Sequence, residues 1–175
     1  MKLHLGCGKR RIPGFVHIDA VPYEHIDHVC AIDHLPFIPD ESVSLVYACH
    51  VLEHFKRREV PRVLKEWHRV LHPEGTLRLA VPDFAAIADR YRETGNLNEL
   101  LGLLFGRQDY LYNIHYHVWD DTTLYAALKT AGFRHVRHWD WRETEHADID
   151  DYSRAYLPHR DESGRLMSLN LEAIR

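Results

Sequence analysis

The sequence predicts a doubly wound α/β fold around a mostly parallel sheet, on three observations. Short apolar runs bounded by turn residues recur through the first half of the chain, the pattern of strands covered on both faces. Between two of them, Val60, Val63, Leu64, Trp67, Val70 and Leu71 return at helical spacing. The first run, Leu3-His4-Leu5, ends in the glycine turn Gly6-Cys7-Gly8. Strands alternating with helices specify parallel pairing through crossovers.

In chain order the strand candidates are residues 2–5, 16–19, 28–31, 43–48, 76–81, 133–141 and 166–173. The helix beginning near Val60 tolerates Pro61 in its first turn, and Pro73-Glu74-Gly75 ends the run. A second helix is expected from Asp83 to about Glu93, and a third from about Thr122 to Ala131, with Gly132 supplying a left-handed cap. The first two strands lie closer in sequence than the roughly one dozen residues a parallel crossover usually needs, so the first crossover helix should be reduced or absent. Two connections, residues 97–121 and 142–165, are longer than packing requires and read as substrate-recognition loops.

A chain of 175 residues fits one domain, residues 1–175, with a core that needs no staples. The net charge of −4 and the lack of a basic stripe argue against nucleic acid as the main partner. No apolar stretch approaches membrane-spanning length, and Met1-Lys2-Leu3 runs straight into a strand, so no membrane partner and a cytoplasmic location are expected. Cys7, Cys30 and Cys49 lack paired metal spacing and read as reduced thiols. Fifteen histidines invite a metal reading, yet most look scattered along surfaces, as with His135 and His138, and no metal is expected.

A glycine turn after a buried strand lets backbone approach a ligand closely. Asp19, at the tip of the second strand, suits a ribose diol, because a carboxylate can accept from two hydroxyls; a strand-end cap is the plainer alternative. Together with Ala31-Ile32-Asp33-His34-Leu35-Pro36-Phe37, Asp40 through His54, and Leu71-His72-Pro73-Glu74-Gly75-Thr76-Leu77, these residues resemble class I S-adenosylmethionine-dependent methyltransferases. The nearest likeness is to the small type 11-like enzymes and the short methyltransferases associated with surface-sugar pathways. It is strong from Lys2 to Phe84 and thins beyond.

The resemblance implies a Rossmann-like, seven-stranded sheet with an antiparallel edge, and S-adenosylmethionine as cofactor. It implies that Gly6, Cys7 and Gly8 run beside the methionine part and that Asp19 takes the ribose. Asp33, His34 and Leu35 would meet the adenine, while Ala48, Cys49 and His50 border the cofactor at the end of the fourth strand. His4 stands where many members carry an acid that helps hold the cofactor's amino group, and Arg10 where a third glycine is common.

His50-Val51-Leu52-Glu53-His54 also matches an inverted zinc-hydrolase signature, which needs both histidines and the glutamate on one helical face; here His50 follows directly on a strand. Asn113, His115 and His117 alternate and would share one side of an extended segment, lining an acceptor pocket with His50 and Pro82-Asp83-Phe84. Tyr110, Tyr116, Trp119 and Phe84 offer rings for a sugar or planar acceptor, and Asp148, Asp150 and Asp151 an acidic loop. In-line positioning is worth about 7 to 11 kcal/mol, against about 3 to 5 kcal/mol for a general base. Positioning therefore dominates, with His50, His115 and His117 as the candidate bases. The expected function is methyl transfer to a small-molecule or saccharide-precursor acceptor. The alternatives are an inactive module binding the same cofactor and a zinc hydrolase acting through His50, Glu53 and His54.

Overall fold

The computed structural model describes all 175 residues. Its elements are β1 (Lys2–Leu5), β2 (Val16–Asp19), β3 (His28–Val29), β4 (Val43–Cys49), α1 (Val60–Val70), β5 (Leu71–Pro82), α2 (Phe84–Thr94), α3 (Leu101–Phe105), α4 (Asp121–Thr130), β6 (Arg134–His138), β7 (Tyr156–Leu157), β8 (Arg165–Leu166) and β9 (Ser168–Ile174). Seven strands form one sheet in the order β3-β2-β1-β4-β5-β9-β6. β1 pairs in parallel with β2 and β4, and β4 with β5. β9 alone runs antiparallel to its neighbours β5 and β6, so the reversed strand lies one place in from the edge. The sheet is the Rossmann-like one expected, and β7 and β8 add a small hairpin that no periodicity announced.

One face of the sheet is covered by helices. α1 buries Val60, Val63, Leu64, Trp67 and Val70, with proline in its first turn. The Trp67 indole donates to the Ile32 carbonyl at 2.9 Å, binding the segment after β3 to the helix. α4 starts at a reciprocal cap between Asp120 and Thr123 and adds Leu124 and Leu128 to the same core. α2 is capped by Asp83, whose side chain accepts from Ala85 N, and ends at left-handed Gly95.

The opposite face has no helix over β1 to β3, since all three connections between β1 and β4 are turns. The missing first crossover helix is replaced from two directions. Ile12 and Phe15 of the β1–β2 turn pack on Leu45 and Tyr47, joined by Trp139 and Ile149 from the excursion between β6 and β9. The Tyr47 hydroxyl donates to Asp151 at 2.6 Å, and the Trp139 indole to the Leu79 carbonyl at 2.9 Å. This folding-over explains why β6 ends at His138 where periodicity extended the strand to Trp141.

Histidines hold the helix-free turns in place. The His17 ring accepts from Ile12 N at 2.9 Å, and the His25 ring bonds the Arg10 carbonyl at 3.1 Å. His4, His17 and His146 are buried, contrary to the reading of scattered surface residues, whereas His135 and His138 are exposed as expected. Burial depresses the pKa of His4, His17 and His146, most strongly for His4, so they stand neutral.

Candidate functional site

The carboxyl ends of β1, β2, β3 and β4 open into one cleft of about 1780 Å³. It lies where the chain leaves β1 for strands on both sides, the position at which open α/β sheets hold ligands. Gly6 and Gly8 form its floor, both left-handed at φ +61° and +55°. Their reasons differ. A Cβ on Gly6 would sit 2.6 Å from Val51 Cγ2, whereas one on Gly8 would meet nothing within 4 Å. Gly6 is thus required by packing, and Gly8 leaves room beside the backbone. The Cys7 thiol between them is pushed up to about 12, first by burial and then by Asp19, and is no nucleophile.

Asp19 lies at the cleft but is already engaged. One carboxylate oxygen accepts from Gly8 N and the other from Val21 N, each at 2.8 Å. The carboxylate therefore clamps the glycine turn to the tip of β2, the capping role considered from sequence, and each oxygen retains a further lone pair. Asp33 also lines the cleft, paired with Arg62 at 2.5 Å.

Three residues expected at the cofactor lie elsewhere. Leu35 is wholly buried in the main core, its N–H donating to the Glu66 carboxylate of α1 at 2.6 Å. His34 points outward and faces Glu66 at 3.8 Å. Ala48 is buried on the helix-covered face. The strand period explains the last: the β4 side chains alternate, so Ala48 faces the core while Cys49 reaches the cleft. Ile32 is the apolar side chain that borders the cleft next to Asp33, a position sequence reasoning passed over by one turn.

At the end of β4 the backbone turns sharply, with His50 at φ +51°, into a 3₁₀ turn over Leu52–His54. The five-residue motif thus straddles strand and turn, and its two histidines share no helical face. Instead the chain brings Glu53 against a histidine from a remote segment. Glu53 is fully buried, and neither carboxylate oxygen has a hydrogen-bond partner. Its Oε1 lies 3.6 Å from His50 Nδ1 and 3.9 Å from His115 Nε2, too far for hydrogen bonds. Burial raises the Glu53 carboxyl to about 8 and lowers His50 to about 3 and His54 to about 4.

His115 lines the cleft, its Nδ1 bonded to the Leu103 carbonyl at 2.9 Å. His117 does not: its ring stacks on buried Trp119 at 3.9 Å between centroids. Asn113 reaches the cleft but is held by Asp109 at 2.6 Å, so the alternating trio does not converge. Both long connections form the far wall, through Tyr110, Tyr112 and Tyr116 on one side and Tyr152 and Arg160 on the other. Phe84 and Trp119 lie outside it. Asp151 is buried, accepting from Tyr47 and Ser153, and Asp150 pairs with Arg160.

Residues 17–79 match the family model described as a methyltransferase domain. No curated protein matches the chain. Among solved structures, a 1,6-didemethyltoxoflavin-N1-methyltransferase from Burkholderia thailandensis, with its substrate and S-adenosylhomocysteine bound, aligns at TM-score 0.62 and 14% identity, over 99% of this chain and 70% of its own. An S-adenosylmethionine-dependent methyltransferase from Archaeoglobus fulgidus aligns at 0.60 and 15% identity, over 99% and 85%. One from Mesorhizobium loti aligns at 0.58 and 20%, over 99% and 90%. At these identities the likeness is one of fold.

Proposed function

We propose that this chain, which has the class I S-adenosylmethionine-dependent methyltransferase fold and its family signature over residues 17–79, transfers a methyl group from S-adenosylmethionine to a small-molecule or saccharide-precursor acceptor. The observation that carries the reading is the glycine turn: at the switch point of the sheet, Gly8 leaves open space beside left-handed backbone, with Asp19 beside it. The residues present fit the cofactor. Gly6 to Gly8 would run beside its methionine part, Asp19 would accept from the ribose with its remaining lone pairs, and Asp33 and Ile32 would meet the adenine. The cofactor supplies an electrophilic methyl group on a sulfonium.

The chain's own contribution is placement. Tyr110, Tyr112 and Tyr152 form an aromatic wall opposite the strand tips, suited to a ring-bearing acceptor. Of the candidate bases, His50 is held to about 3, too weak to take a proton near neutrality, and His117 lies off the cleft. His115 remains at the cleft, turned toward Glu53. Orientation therefore carries the reaction in this reading, with no dedicated base. The three free thiols suit a reducing compartment, and the cytoplasm is the proposed location.

Calorimetry should show one molecule of S-adenosylhomocysteine bound per chain. Asp19→Ala should weaken it about 10- to 100-fold, the range expected for losing a hydrogen bond to a charged acceptor. Unchanged affinity in that variant would remove the ribose role. A second reading, binding without turnover, is favoured by His4, a neutral buried ring where the resemblance expects an acid. Cofactor binding with no methylation across sugars, phenols and amines would select it.

A further inference from the structure

Glu53, His54 and His115 present one ligand atom each within 4.8 Å of one another; the two histidines line the cleft outside the cofactor cradle, and Glu53 is fully buried beside them. The geometry points to a binding site for a divalent first-row transition ion, with zinc the best fit, held by the Glu53 carboxylate, His54 and His115 and left with an open position on the cleft.

The first argument is the carboxylate. A fully buried side chain with both oxygens unpartnered is rare, because desolvating it without compensation is costly. No arginine or lysine pairs with Glu53. Its nearest polar neighbours are rings at distances too long for hydrogen bonding, yet suited to a shared ion. A tetrahedral ion with bonds of about 2.0 to 2.1 Å spaces its ligand atoms by roughly 3.3 Å. The 3.9 Å between Glu53 Oε1 and His115 Nε2 closes to that with a small side-chain rotation.

The second argument is the orientation of the rings. His115 Nδ1 bonds the Leu103 carbonyl at 2.9 Å, and His54 Nδ1 the Ile114 carbonyl at 3.1 Å. A carbonyl only accepts, so both Nδ1 atoms carry the proton and each Nε2 keeps its lone pair. A backbone carbonyl behind each ring is the usual second contact of a metal-bound histidine.

The donor set decides the ion. Two histidines and one carboxylate with a free fourth position is a recurrent arrangement for catalytic zinc and for related first-row ions. His50 Nδ1, 3.6 Å from the same carboxylate oxygen, stands next to that position. Since His50, His54 and His115 all border the cleft, an acceptor oxygen can reach the ion from there. This differs from the zinc-hydrolase pattern in the linear motif: the glutamate is a ligand, and the second histidine comes from the loop before α4.

Chelator-treated protein, titrated without cofactor, should bind one equivalent of Zn²⁺ by calorimetry, and Co²⁺ should give the visible bands of a four-coordinate site. Glu53→Gln and, independently, His115→Gln should each weaken binding more than the 10- to 100-fold that loss of an outer contact costs. His135→Gln and His138→Gln, on the exposed edge strand, should leave it unchanged. Failure of the folded wild-type chain to take up zinc overturns the site. So does uptake that survives both the Glu53 and His115 substitutions, which would place the ion on surface histidines.

Discussion

Gly6 shows how packing can demand one glycine while another two positions on leaves open space at the cleft. Its Cβ would collide with Val51, so Gly6→Ala combines a left-handed penalty with a clash. A loss of about 1 to 3 kcal/mol is expected, read as a lower urea midpoint at unchanged m-value. A loss below about 0.5 kcal/mol would mean that the turn relaxes freely. The position of the glycines and Asp19 at the strand tips was legible because their spacing is local to one strand and one turn. His34, Leu35 and Ala48 were not, because which way a side chain faces depends on strand phase and on Glu66 and Trp67, some thirty residues away in sequence. Glu53 was visible only as part of a linear motif; its partner His115 is brought to it by the loop.

Among the elements, α1, α2, α4 and the first strands could be read from periodicity, and the lean crossover from its length alone, whereas α3, a single short turn of helix, lies in a stretch read as a loop. What replaces the missing helix could not, because the cover comes from the far end of the chain. Trp139 and Asp151 belong to an irregular excursion whose contacts with Leu79 and Tyr47 leave no periodic trace. Tyr47→Phe tests that cover. It removes the donor to a buried carboxylate and should cost about 1.5 to 3 kcal/mol in equilibrium unfolding. Protease digestion should then cut first within 139–155. A variant as stable and resistant as the wild type would show that the excursion is held by other contacts.

At the scale of the whole molecule, the buried histidines couple stability to pH. His4, His17 and His146 have folded-state pKa values below the unfolded value near 6.5. Each thus binds its proton more readily when unfolded. Their stability contribution is present above that value and falls as pH drops below it, by up to about 1.4 kcal/mol per pH unit for each group. Urea midpoints should decline steeply below about pH 6.5. His4→Phe, which keeps a ring against Phe15 and Tyr47, should flatten the decline by up to one such increment. An unchanged slope would remove His4 from the account.

The same histidine-pinned turns present the strand tips to solvent, and there the central claim is open to direct observation. Backbone amide resonances recorded while S-adenosylhomocysteine is added test it best. The account predicts saturable shifts concentrated at Gly6, Cys7 and Gly8, at Asp19 and Val21, and at Ile32 and Asp33. Resonances that stay in place at millimolar ligand, or shifts confined to surfaces away from these strand ends, would contradict it.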